Sequence, residues 1–362
     1  MTDAKVPLPT LLSADGDPEA QVPVLSPEFA GESLGAYAVR HGLRPSAERP
    51  PVLAYVAEVW RRRHFVMAFA TARNIAMYTE AKLGQIWQVL TPLLNAGVYF
   101  LIFGLLLHIN RGIPNYLAFL VTGIFVFNFT QRAFITTSSV ITESLPLIRA
   151  LQFPRAALPL AYVVVELEQM ALSMAVLVVI VLASGEPITW YWLLVIPALL
   201  LQTIFNIGIG LFAARLGSQV NDFSQLLPFL MRTWLYLSGV LFSIQNLGLA
   251  GQSLAHEKWA VPLLEINPAA VYITLIRDSI LRSQRLSAPG SHPYNAARCA
   301  QWQHAVTHNA TAMPLNLQYD SAYCHAQVAV AHFWYFGIGW AVLALVVGFF
   351  FFWRAETRYG RG

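Results

Sequence analysis

The sequence predicts an all-α polytopic membrane protein. An amphipathic helix lies at the membrane surface, six transmembrane helices follow, and both termini are cytoplasmic. Three observations predict this. The 362 residues are 56% hydrophobic and only 12% charged, where soluble domains carry about a quarter charged residues. Uncharged runs recur that reach the roughly 20 apolar residues a spanning helix needs. Arginines gather in alternate short segments between those runs, which is the pattern that orients a chain in a bilayer. The net charge of +4 is scattered and forms no dense basic tract, so a nucleic-acid partner is not expected.

Residues 1–50 are rich in Pro, Gly, Ser, Ala and acidic residues. They lack a basic start followed by an apolar core and cleavage site, so the expectation is a disordered cytoplasmic tail rather than a signal peptide. Segment 51–84 is the interfacial region. In "VLAYVAEVWRRRH" (52–64), Val52, Leu53, Val56, Val59 and Trp60 fall near one face, with Arg61 and Arg62 toward the other. A basic amphipathic helix with an interfacial Trp lies in the membrane plane. The rival reading, a first helix of a soluble domain, fails because a span starting near 88 leaves no room for a core. Helix continues past Arg73 and breaks near Gly84.

The spans are expected at 88–108, 115–138, 159–183, 190–213, 225–245 and 331–353, the last followed by a short tail to 362. With the N-terminus inside, the inner segments hold Arg61, Arg62, Arg63, Arg73, Lys82, Arg149, Arg155, Arg215, Arg354 and Arg358, against Arg111 in the short outer loops. Basic charge in short loops marks the cytoplasmic side. Segment 246–330 is then outside. The inner loop carries "LIRALQFPRAALP" (147–159), whose core reads as a short amphipathic helix ended by Pro154. It is either a plain connector or a helix offered to a soluble partner.

Ionisable residues inside spans are costly and mark function or pairing. Arg132, Glu166, Glu168 and Arg232 are the four that stand out. Arg132 lies near the inner end of span two, where it can snorkel. Glu166 and Glu168 are two apart and face different neighbours. Glu166 is placed to pair with Arg232 of span five, as a packing pair or in a substrate or gating role.

Several chemistries are missing. An ATP-binding loop reads GxxxxGK[ST], and none of Lys5, Lys82 and Lys258 has that setting. "HEKWA" at His256 is not a zinc-protease motif, and no G-x-S-x-G occurs. No metal site, resident cofactor or enzymatic activity is expected. In the outer segment, Cys299 and Cys324 are expected to form one bridge, since that compartment permits disulfides. The rival is a metal site at His304 and His308 with Cys299, Cys324 or His325, which no CxxC supports. Segment 283–330 is expected to be a structured cap.

The order of features then becomes recognisable. "KLGQIWQVLTPLLNAGVYFLIFG" (82–104), "FLVTGIFVFNF", "IRALQFPRAALP", "RLGSQVNDFSQLLPFLMRTWLYLSGVLFS" and "INPAAVYITLIRDSIL" (266–281) follow the interfacial helix in that sequence. This resembles the membrane subunit of ABC polysaccharide exporters of the O-antigen and teichoic-acid type, and within them the actinobacterial exporters of lipid-linked galactan. The resemblance covers about 52–282 plus the last span, and 283–330 departs from it.

The resemblance implies a homodimer with one channel between subunits, and two ABC ATPase subunits beneath that bind the ATP and Mg. It makes 144–156 a coupling helix, through Leu147, Ile148, Arg149, Leu151, Phe153 and Arg155. It makes 246–282 outer gate helices, with Asn267, Pro268 and Arg277. It places the channel at spans one, two and five, where Tyr99, Phe103, Phe127, Trp234 and Tyr236 offer rings for flat sugar faces. The implied cargo is a polyprenyl-diphosphate-linked polysaccharide crossing the plasma membrane. Its diphosphate is attracted by Arg61, Arg62, Arg63 or Arg73, which bind lipid headgroups equally well. The alternatives are a drug or lipid exporter of the same fold, and a membrane-embedded glycan-modifying enzyme.

Overall fold

A computed structural model describes residues 51–79, 82–106, 115–151, 153–220, 222–242, 260–287 and 315–356. The side chains at 85, 260–262, 282–287 and 315–331 are not among those described. The expected tail 1–50 lies outside these residues, as do most of the outer insertion, Cys299, and the side chains of Cys324 and His325. The described residues belong to one compact unit, Pro50–Gly362. Every regular element in them is helical.

Two helices precede the bundle. Helix α1, Val52–Arg61, and α2, Arg63–Tyr78, meet at Arg62, whose φ of −86° and ψ of 10° break the helix. Helix α1 buries Tyr55 and leaves Leu53, Val56 and Trp60 exposed, an apolar outer stripe beside Arg61, Arg62 and Arg63. Helix α2 lays Val66 and Ala70 on Ala157, Ala161 and Val165 of the third span. The expected break is at Gly84, which takes φ +53°, a left-handed value that suits glycine.

Helix α3, Trp87–Tyr99, continues as a π-helix over Phe100–Leu106. Together they give 20 residues, about 30 Å of helix. Helix α4, Tyr116–Glu143, starts on Asn115, whose side chain accepts from the Ala118 N–H at 3.2 Å. A six-residue helix α5, Leu145–Ala150, leads to α6, Ala157–Ala183. A 3-10 turn at Trp190–Leu194 leads to α7, Val195–Gln219. Then come α8, Phe223–Leu237; α9, Ala260–Ile266; α10, Pro268–Ser287; and α11, Leu315–Trp353.

Helices α4 and α7 form the centre. Helix α4 packs on α6, α7, α8, α10 and α3, and α7 packs on α11, α4, α6 and α10. Small residues let backbones approach: a side chain on Gly208 of α7 would meet the Ala344 backbone, one on Gly348 the Gly208 backbone, and one on Gly217 the Ser138 backbone. Gln202 crosses between α7 and α4, donating to the Val126 carbonyl at 2.8 Å and to Thr130 Oγ1 at 3.0 Å.

One expectation changes. Among the described residues five helices are long and apolar enough to cross a membrane. The segment expected as a span at 225–245 forms only the 15-residue α8. At 1.5 Å per residue that is about 22 Å, short of the roughly 30 Å hydrocarbon core. Ser238 and Gly239, the latter at φ +68°, end it. The last span falls where expected, at His332–Trp353, within a longer helix that starts at Leu315.

Candidate functional site

Helix α5 ends at Ala150 because Leu151 is extended, with φ −125° and ψ 139°. The helix thus stops before Pro154, and the strap that leaves it at Leu151 turns at 154–157, where the Ala157 N–H donates to the Pro154 carbonyl at 2.9 Å. Ile148 turns inward, while Arg149 and Leu151 are exposed and Leu147, Phe153 and Arg155 are half-buried. Phe153 packs against Phe65 of α2 with ring centroids 5.3 Å apart. The strap is therefore seated on the interfacial helix and presents Arg149 and Leu151 outward.

Below the strap lies a node the sequence did not announce. The Tyr55 hydroxyl donates to Glu356 Oε2 at 2.7 Å, and the Arg155 N–H donates to Glu356 Oε1 at 3.1 Å. Glu356 is buried, and that burial pushes its carboxyl above the usual range against the opposing pull of Tyr55 and Arg155. The only sequence signal was an acidic residue among arginines just past an apolar span.

A polar cleft cuts into the bundle between α3, α4 and α6. Gln88, Asn128, Arg132, Glu166, Gln169 and Ser173 line it, with Phe125 and Phe129 as walls. Arg132 donates to Gln169 Oε1 and lies within hydrogen-bond reach of the Tyr78 hydroxyl. Glu166 sits in the field of Arg132, with Thr136 beside it. The expected partner, Arg232, is instead exposed on α8 in the field of Tyr99. The Glu166–Arg232 pair is thus replaced by a Glu166–Arg132 neighbourhood, because α4 and not α8 covers that face of α6. Glu168 faces elsewhere, as expected, accepting from Asn74 at 2.8 Å and Thr71 at 3.0 Å of α2. Gln88 Nε2 donates to Asn74 Oδ1 at 2.9 Å, tying α3 to the same group.

The four arginines near α1 and α2 divide. Arg61, Arg62 and Arg63 are exposed, with Arg63 lying 5.6 Å from the Trp60 ring. Arg73 is engaged: its guanidinium lies over Tyr162 at 4.1 Å and reaches Glu143 at 3.5 Å. An ion pair and a stacked ring leave it less available to an incoming anion than the other three.

The five selected rings also divide. Tyr99 and Phe103 are half-buried, 6.2 Å apart by centroid. Tyr236 is 45% exposed. Trp234 is half-buried, and its indole N–H donates to Asn267 Oδ1 at 2.8 Å. Phe127 is 1% exposed and meets Trp234 edge-on at 6.0 Å. It is packed inside the chain and presents no surface, so it supports the Trp234 face from behind instead of lining a path.

At the turn before α10, Asn267 caps that helix by accepting from the Ala269 N–H at 3.1 Å, and its amide donates to the Leu237 carbonyl at 3.0 Å. Pro268 stands at the first helical position, as expected. Arg277, 6% exposed, donates to the carbonyls of Phe119 at 2.9 Å, Gly239 at 2.7 Å and Val240 at 2.7 Å. Its guanidinium lies 3.5 Å from the Phe119 ring centroid. A side chain on Gly123 would collide with that guanidinium. Asn267 and Arg277 together clamp the end of α8 to α4 and α10. Among the described residues no group of three or more His, Cys, Asp or Glu is arranged to hold a metal ion.

Comparison with known proteins adds three findings. Residues 65–281 match the ABC-2 type transporter family. The chain is similar to the O-antigen export system permease protein RfbA of Myxococcus xanthus, 24% identical over 54% of this chain and 75% of the relative. It is also similar to a protein of the same name from Klebsiella pneumoniae, 26% identical over 56% of this chain and 74% of the relative.

Proposed function

The chain belongs to the ABC-2 type transporter family, and from that premise we propose that it is the channel-forming membrane subunit of an ATP-driven polysaccharide exporter. The cargo is a polyprenyl-diphosphate-linked, galactan-like polymer moved from the cytoplasmic to the outer side of the plasma membrane. The observation that carries this reading is the similarity to O-antigen export permeases over a little more than half of the chain. ATP and Mg belong to two partner ATPase subunits, because no lysine here stands in a phosphate-binding loop. The chain is then a transport subunit and not itself an enzyme.

The exposed Arg149 and Leu151 of the α5 strap suit docking to those ATPases. A second copy of the chain closes the channel. Only 17% of the apolar window of α3 is buried within the chain, against 67% for α4. Helix α3 and the exposed side of α8 therefore need lipid or a partner. Tyr99, Phe103, Trp234 and Tyr236 lie on these two helices, where rings can slide along sugar faces without reading a sequence of units. Arg61, Arg62 and Arg63 suit attraction of the diphosphate at the inner leaflet, and both termini lie on that side.

The test is depletion of the chain in its own cells, followed by extraction and sizing of polyprenyl-linked glycans. Full-length lipid-linked polymer is expected to accumulate inside. An unchanged glycan pool would sink this cargo and leave a drug or lipid as the exported species.

A further inference from the structure

Helix α6 begins without a cap of its own. Ala156 holds the capping position and has no side-chain acceptor. Its first N–H groups close on the preceding turn, Ala157 on the Pro154 carbonyl and Leu158 on the Arg155 carbonyl, and remote residues bind the two residues just before it. The Arg155 N–H donates to Glu356 Oε1 at 3.1 Å, and the Ala156 N–H donates to the Tyr55 hydroxyl oxygen at 3.1 Å. Tyr55 in turn donates to Glu356 Oε2 at 2.7 Å, and the Arg155 guanidinium donates to the Glu356 backbone carbonyl. A carboxylate at a helix N-terminus satisfies free N–H groups and complements the helix dipole.

These partners stand 101, 201 and 301 residues apart in the chain. The node therefore joins three separate segments: α1, the strap leaving α5, and the end of α11. Tyr55 is 1% and Glu356 7% exposed, so water competes little for these bonds. Ile148 of α5 packs into the same cluster, with Tyr55, Ala156, Leu158, Phe352 and Ala355.

We infer that Glu356 is a positioning residue for transport: with Tyr55 and the Arg155 backbone it forms the joint through which a push on α5 moves α1, α6 and α11 together. The inference rests on the reading of α5 as the ATPase-docking helix. Glu356 touches neither cargo nor nucleotide. It keeps the foot of α6 attached to the two elements that flank the strap, so displacement at the docking surface reaches the spans instead of being absorbed by the extended segment at Leu151.

The test uses Tyr55→Phe, which removes one hydroxyl, and Glu356→Gln, which keeps the side-chain shape and one acceptor. In the purified chain, backbone N–H exchange at 156 is expected to quicken about tenfold in Tyr55→Phe, the order set by losing one buried hydrogen bond, and exchange at 155 to quicken by less in Glu356→Gln, whose remaining amide oxygen is a weaker acceptor than a carboxylate. Unchanged exchange overturns the joint, whatever the cargo. In the complex with its ATPase, hydrolysis of ATP is expected to stay within about twofold of wild type while glycan delivered to the surface of depleted, complemented cells falls about tenfold, since only transmission is cut. Hydrolysis and delivery falling in proportion would make the node a matter of stability alone and overturn the inference, as would unchanged delivery. A wild-type chain that restores no surface glycan would sink the proposed function instead, leaving exchange to decide the joint.

Discussion

Glu356 shows how one residue reports on its surroundings. Burial raises its carboxyl above the ordinary value of 4.5 against the pull of Tyr55 and Arg155, with Glu58 adding to the rise. A carboxyl raised in the folded state favours the protonated form there. Its contribution to stability is therefore present below the ordinary value and lost as pH rises through the raised one. The expected outcome is that the thermal midpoint of wild type, relative to Glu356→Gln, falls as pH is taken from about 5 to about 8. Thermal unfolding of both proteins in detergent across that range checks it; a constant difference would contradict the assignment. Arg277 makes the contrasting case. It is buried among backbone carbonyls of three residues and a Phe119 ring, so its charge is used to close a turn.

At the scale of elements, α7 and α11 cross where glycines leave no room. A side chain on Gly348 would strike the Gly208 backbone, whereas one on Gly339 would meet nothing within 4 Å. Overpacking a fitted contact costs about 1–3 kcal/mol or more, and small residues are what let membrane helices approach. Gly348→Val is expected to lower the thermal midpoint and the yield of folded protein, and Gly339→Val to leave both near wild type. Equal behaviour of the two variants would mean that the α7–α11 contact does not control stability. Helix α8 teaches a different lesson. Its sequence runs apolar to residue 242, yet the helix ends at Leu237 because Ser238 and Gly239 turn the chain and Arg277 and Asn267 hold that turn. Composition gave the apolar length; the turn gave the element.

At the scale of the whole molecule, α4 is enclosed by its neighbours, while α3 with its π-helical continuation, α8 and the far side of α11 carry exposed apolar faces. Leu94, Val98, Leu101 and Leu105 on α3, and Leu226, Phe229 and Leu237 on α8, are all more than half exposed. The proposed second copy, set on this side, would cover both helices at once. In a chain carrying Cys299→Ser and Cys324→Ser, Leu101→Cys in native membranes is expected to give a cross-linked dimer. Leu177→Cys, on a fully buried position of α6, is expected to give none. A monomer from both would place lipid, and not a second copy, on α3.

Much was legible in the sequence because bilayer physics acts on composition. Apolar runs, the break at Gly84 and the Asn267–Pro268 start of α10 each follow from local chemistry: transfer from water, glycine's left-handed backbone, and a cap followed by a residue that needs no N–H. What tertiary structure decided is which residues meet. Glu166 found Arg132 and not Arg232, Phe127 turned into the core, Arg73 was taken by Glu143 and Tyr162, and Tyr55 met Glu356 across 301 positions. Such partners are set by the rotation of each helix about its axis and by close approach at glycines. In a span apolar on every side, periodicity leaves that rotation undetermined; packing between helices fixes it.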